Sequence, residues 1–262
     1  MRNLVERLND IGFERTRRAL AGLFLSLFIT LYLMVSLNAP PGWGPAFIAL
    51  AACYLVAFLG VVAEVFWGRW FASGLGWSGL MVAVFSLFMI GWSPPLAVYG
   101  ALHGLVVVAL TGKKMAGRYD LQAGWRERYG MDEFAVARLR KTVTRAAASL
   151  PSLILWALGP KNPSEGMVAS AAAIAVLLLA AASLRGMVLL RSWSILTTAA
   201  AAAGLWVLGS FSLSFSLSQI PGSLWLPDTA LAGGALLAAA ALSFAVLPFA
   251  GPAIRFLRVR RS

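Results

Sequence analysis

The chain alternates between long apolar segments and short polar connections, and the length of the apolar segments predicts membrane-spanning helices. A helix needs about 20 mainly apolar residues, or about 17 at minimum, to cross the hydrocarbon core of a bilayer. Eight segments approach or exceed this length: 19–37, 46–66, 74–92, 96–111, 142–159, 166–184, 193–218 and 229–249. The pattern therefore predicts an all-α, polytopic integral membrane helix bundle of about eight transmembrane helices.

Basic residues lie on one side of these predicted spans. Every second connection carries Lys or Arg, and Lys161 is the single one of the 22 Lys and Arg residues that falls on the other side. Since cytoplasmic loops retain Lys and Arg during insertion, the pattern predicts a bacterial-type inner-membrane protein with both termini in the cytoplasm. The first apolar segment is then an uncleaved span, because it is long enough to cross and no small-residue cleavage site follows it.

Composition limits the partners that the chain can have. The chain is 60% apolar and 12% charged, whereas soluble domains carry about 25% charged residues. The net charge of +12 is divided among loops that flank predicted spans. This distribution predicts attraction to anionic lipid headgroups at the cytoplasmic face and argues against nucleic acid as a partner.

The polar segments divide one membrane domain, residues 1–262, into five parts. These are an N-terminal amphipathic segment on the membrane surface (1–18), four helices (19–111), a basic cytoplasmic loop (112–145), four further helices (142–250) and a basic tail (251–262). From Met131 onward, apolar residues recur at helical spacing, which predicts a cytoplasmic helix that continues into the fifth span. Asp132 and Glu133 suit the first turn of that helix because acidic side chains complement its dipole.

Two ionisable residues, Glu64 and His103, lie within predicted spans, where such residues mark candidate functional sites. Glu64 is close to the end of the second span. It either pairs with Arg69 in a short turn or forms a proton or cation site. His103 is either a neutral imidazole bonded to a neighbouring helix or a proton relay. A relay from His103 to Glu64 requires water or a third residue.

The residue inventory predicts no cofactor, no metal site and no catalytic residue. The single histidine cannot supply the paired ligands of a membrane haem or the two histidines of a zinc protease motif. Cys53 is the single cysteine, so neither an internal disulfide nor a thiolate cluster is available.

We expect a non-catalytic subunit or scaffold of a membrane complex, which docks a protein partner or a second copy of the chain through its basic loop. The candidate contact residues, which also suit anionic lipid headgroups, are Lys113, Lys114, Arg118, Arg126, Arg138, Arg140 and Lys141.

Two alternatives remain open. A transporter of small solutes or lipids would use His103, Glu64 and a serine column that is either helical or extended: Ser212, Ser214, Ser216 and Ser218. A membrane enzyme acting on anionic lipid headgroups would bring several loop cations together with an acid, either Asp120 or Glu127.

Overall fold

A computed structural model describes residues 13–129, 132–160, 166–189, 191–210 and 239–244, and these ranges contain helices and turns but no strand. The helices are α1 (Phe13–Asn38), α2 (Gly44–Val62), α3 (Gly68–Ile90), α4 (Pro94–Leu110), α5 (Lys113–Tyr119), α6 (Ala123–Tyr129), α7 (Glu133–Leu158), α8 (Gly166–Val188) and α9 (Trp193–Ser210). Residues 239–244 are also helical.

Four helices in the described ranges are long and apolar enough to cross a membrane: α1, α2, α3 over Gly68–Phe88 and α8 over Ser170–Val188. A fifth is added if α4 and α5, which bend by 74° at their junction, are taken as one broken span. The protein is therefore all-helical within the described ranges and compatible with a membrane helix bundle. The predicted fifth span belongs to α7, which is not among these helices because its first half is charged.

The helix ends follow from local chemistry. Helices α2 and α4 have proline in their first turn. The backbone N–H groups of that turn have no partner within the helix, so proline, which lacks an N–H, costs no hydrogen bond there. Gly91 follows the end of α3 and Gly112 follows the end of α4. Their φ angles, 92° and 119°, are conformations that only glycine adopts readily. At the start of α7, the Asp132 carboxylate accepts a hydrogen bond from Ala135 N at 2.6 Å. As predicted, this helix continues without a break into the apolar segment.

One predicted boundary is wrong. The turn between the second and third spans was expected around Arg69, but α3 already begins at Gly68 and Arg69 lies in its first turn. The side chain of Arg69 can lie there because it finds its partner, Asp120, at the end of the helix. Helix α1 begins at Phe13, so residues 13–18 of the predicted surface segment belong to the same continuous helix as the first predicted span. Residues 1–12 lie outside the described ranges.

Helix α3 occupies the centre of the bundle, because it packs against α2, α4 and α7. Small residues allow these close contacts. A Cβ on Gly74 would lie 2.6 Å from Ala147 of α7, and one on Gly76 would lie 2.8 Å from Val107 of α4. Helices α1 and α4 pack together on one side, while α8 packs between α7 and α9 on the other.

The short helices α5 and α6 lie against one end of this bundle and are called the cap. At that end α1 and α3 begin and α2 and α4 end, and it is called the basic end. Tyr119 of the cap is fully buried, and its hydroxyl donates a hydrogen bond to the Val61 carbonyl at 2.8 Å. Trp125 stacks on Phe66 with ring centroids 4.3 Å apart. The cap is thus packed onto the bundle by side chains from both helices.

Candidate functional site

A buried polar cluster surrounds His103 between α1, α2 and α4. This aromatic–histidine cluster consists of Phe28, Tyr32, Tyr54, Tyr99 and His103. The imidazole of His103 is fully buried. Its Nε2 lies 2.7 Å from the Tyr54 hydroxyl, and its Nδ1 lies 2.8 Å from the Tyr99 carbonyl oxygen.

These two contacts determine the arrangement of protons on a neutral His103. A carbonyl oxygen can only accept, so Nδ1 donates to Tyr99, and Nε2 then accepts from the Tyr54 hydroxyl. The ring is also enclosed by the Phe28 ring, whose centroid is 3.7 Å away, and by the backbone of Gly79 on α3. Through Tyr54, the imidazole is bonded to a neighbouring helix, α2.

The tyrosine partners of His103 were not singled out from the sequence. Tyr32 and Tyr99 join α1 to α4 through their hydroxyls, 2.8 Å apart. The sequence could have pointed to these tyrosines through their rarity, since the chain has five tyrosines and three of them fall within predicted spans. Ser86 on α3 was also missed; its buried hydroxyl makes no hydrogen bond within the described part of the chain.

A second cluster, centred on Asp120, lies at the basic end. The carboxylate is 2% exposed and accepts two hydrogen bonds from Arg69, from Nε at 3.0 Å and from Nη2 at 2.5 Å. Trp70 Nε1 donates to the same carboxylate at 2.7 Å, and Arg140 approaches it at 3.5 Å. Arg69 also donates to the Leu110 carbonyl at the end of α4. One buried ion pair therefore ties the cap to α3 and α4.

Glu64 has different partners from those expected. Its carboxylate accepts bidentate bonds from Arg118 of the cap, at 2.9 and 2.8 Å, and forms an ion pair with Arg18 of α1. The expected pair with Arg69 is wrong, because Arg69 turns toward Asp120. The backbone gives the reason: Glu64 adopts a left-handed conformation with φ of 54°, which turns the chain between α2 and α3.

Further bonds between the cap and the bundle surround these ion pairs. The Gln122 side-chain amide donates to the backbone carbonyls of Glu64 and Arg118, at 2.9 and 2.8 Å. Burial raises the pKa of Tyr119, and the neighbouring cations Arg18 and Arg118 oppose that shift. The phenol stays neutral at physiological pH and remains a donor to Val61.

Glu64 and His103 belong to separate clusters. Tyr54, the partner of His103, lies eight residues before the end of α2 at Val62. Those residues correspond to roughly 12 Å of helix rise, and Glu64 follows beyond them. The described contacts supply no third residue that links the two clusters, as a relay between them requires.

The predicted contact residues of the basic loop are distributed over the basic end. Lys113, Lys114 and Lys141 are exposed, while Arg118, Arg126, Arg138 and Arg140 are partly buried. Asp120, a candidate acid for a lipid enzyme, is enclosed by its arginine and tryptophan partners, whereas Glu127 is exposed on α6. The serine column, Ser212 to Ser218, lies outside the described residues.

Comparison of the chain with protein-family models, with curated proteins and with solved structures gives no match.

Proposed function

We propose that the chain is a non-catalytic subunit or scaffold of a bacterial inner-membrane complex, with about eight spans and with both termini in the cytoplasm. In this arrangement the basic end faces the cytoplasm, and the cap together with the charged half of α7 forms a rigid platform. The partner is an acidic protein surface. The proposal rests on how the polar groups of the described residues are used.

The observation that carries the proposal is that three of the candidate groups, Asp120, Glu64 and His103, make internal bonds. Asp120 is enclosed by Arg69 and Trp70, and Glu64 is held by two arginines. Both ring nitrogens of His103 lie within hydrogen-bonding distance of protein oxygens. Such groups stabilise a fixed surface, whereas a catalytic acid or base needs access to a substrate.

The docking surface is the face formed by α6 and the first half of α7. Lys141 is exposed on α7 one turn after the partly exposed Arg138, and Arg126 is partly exposed on α6. Residues 123–143 carry five basic side chains, at positions 126, 128, 138, 140 and 141, against three acidic ones, at positions 127, 132 and 133. This excess of cations gives the face a net positive charge. An acidic partner surface complements it and would associate more weakly as salt increases.

Site-specific crosslinking tests the docking surface. We expect a photoreactive residue at position 141 to form an adduct with an acidic protein in native membranes. The same probe at Leu37, which is 85% exposed at the opposite end of α1, should form no such adduct. In a chain with the probe at position 141, R138E should reduce the yield several-fold. The same adduct from both positions, or no adduct at 141, would contradict the proposal.

Cysteine labelling tests the orientation separately. In a C53S background, N38C should react with a membrane-impermeant maleimide added to intact cells, whereas G124C should react only after the membrane is opened. Both positions are exposed, and a Cβ on Gly124 meets no atom within 4 Å, so folding is not perturbed there. Labelling of G124C in intact cells would reverse the topology and remove the cytoplasmic platform.

A further inference from the structure

A cationic site lies at the basic end where α1 meets α4. It is called the α1–α4 surface and consists of Arg17, Leu20, Leu105, Val108 and Lys113. Arg17 Nη2 donates to the Val108 carbonyl at 2.6 Å and to the Thr111 carbonyl. Its Nη1 lies 3.5 Å from the position that a Cβ of Gly112 would take. The guanidinium therefore rests on the end of α4, directly before the exposed Lys113.

The charge of this surface is not balanced by the carboxylates nearby. A guanidinium has five N–H donors, and the two bonds to α4 use only Nη2, so Nη1 and Nε are available to a phosphate oxygen. Glu64 and Asp120 are engaged by other arginines. Glu14 lies one turn before Arg17 on α1, and in the described part of the chain no ion pair joins the two.

Exposed apolar side chains continue directly from these cations along both helices. Val108 is 65% exposed and Leu105 is 46% exposed on α4, within about two turns of Lys113. On α1, Leu20 follows Arg17 by one turn and is 42% exposed. The cations therefore lie where the exposed apolar surface of the bundle begins, which is the depth of phospholipid headgroups in a bilayer.

We propose that the α1–α4 surface binds one phospholipid with a net negative headgroup. The phosphate contacts Arg17 and Lys113, and an acyl chain lies along Leu105 and Val108. An acidic protein fits this surface less well, because the cations do not project into water. They adjoin an apolar surface that faces hydrocarbon. The site is independent of the docking surface on α6 and α7, so either proposal can fail without the other.

Native mass spectrometry of the full chain in mild detergent tests the proposal. The protein is titrated with phosphatidylglycerol or with phosphatidylcholine, and the dissociation constant of the first bound lipid is measured. We expect phosphatidylglycerol to bind more tightly. K113Q should weaken its binding roughly fivefold, the contribution of one basic side chain at an anionic surface. It should weaken phosphatidylcholine binding less, because the choline group already balances the phosphate charge of that lipid.

R191Q is the control, because it removes an exposed cation just before the start of α9, which packs on α8. Its affinity for phosphatidylglycerol should equal that of the unaltered chain. Equal affinities for the two lipids in the unaltered chain, or equal losses in K113Q and R191Q, would overturn the proposal. A titration with glycerol phosphate under the same conditions separates a lipid site from a site for soluble phosphates. A dissociation constant equal to that of phosphatidylglycerol would show that the acyl chains contribute nothing, and would also overturn the proposal.

Discussion

Replacing Asp120 by Asn is expected to lower the free energy of unfolding by about 3–5 kcal/mol, the cost of leaving one charge of a buried ion pair without its partner. Arg69 is 7% exposed and cannot turn to water, and its Nε and Nη2 would face an uncharged amide. The measurement is a titration with denaturing detergent in mixed micelles. It is followed by the reactivity of Cys53, the single thiol, which lies inside α2.

E64Q is the matched control for D120N, because it makes the same change from carboxylate to amide at the same end of the bundle. The Glu64 side chain is 30% exposed, so water replaces the lost ion pairs and the expected cost is about 1 kcal/mol or less. Removing both buried partners in R69M/D120L should give a protein more stable than D120N, since no charge is left buried. Equal losses in D120N and E64Q would contradict the assignment of the buried pair to Asp120.

The second large effect is expected at Gly79, where α3 passes the imidazole of His103. A Cβ at this position would overlap three atoms of the buried ring. G79A should therefore displace His103 from Tyr54 and lower the free energy of unfolding by about 1–3 kcal/mol, the usual cost of overpacking a well-packed core. The same detergent titration measures this change.

Two further variants show whether the loss in G79A comes from the imidazole. Gly104 lies between the same two helices, but its Cβ would meet Leu80 at an ordinary 3.8 Å. G104A should therefore leave stability unchanged or raise it slightly. In an H103A background, where the ring is removed, G79A should have almost no additional effect. A loss that persists in the H103A background would show that Gly79 serves another contact.

The extent of the helices was largely predictable from the sequence, because burial in a bilayer or a core depends on runs of apolar residues. The predicted span at residues 166–184 matches the start of α8 at Gly166, and the helix predicted from Met131 onward starts at Glu133, directly after Asp132. The prediction failed where a polar residue adjoins an apolar run. Arg69 lies inside α3 rather than in a turn, because it forms an ion pair with Asp120, which is distant in the sequence.

The partners of the polar side chains could not be predicted. Proximity in sequence favoured a pair of Glu64 with Arg69, but Glu64 contacts residues 54 positions later and 46 positions earlier in the chain. His103 could be identified as a candidate because it is the single histidine. Its partner Tyr54 could not, because it lies on a different helix. An ion pair or a hydrogen bond depends on separations of a few ångströms, and those are set by how helices pack.

By itself, the sequence determined that the described part of the chain contains long apolar helices with basic connections, since hydropathy and charge are properties of local segments. Only the tertiary structure decided that Asp120 and Glu64 secure the cap, that His103 is enclosed by tyrosines, and that Arg17 closes the end of α4. These contacts depend on the left-handed turn at Glu64 and on glycines that let helices approach closely. The spacing of apolar residues along the chain encodes neither property.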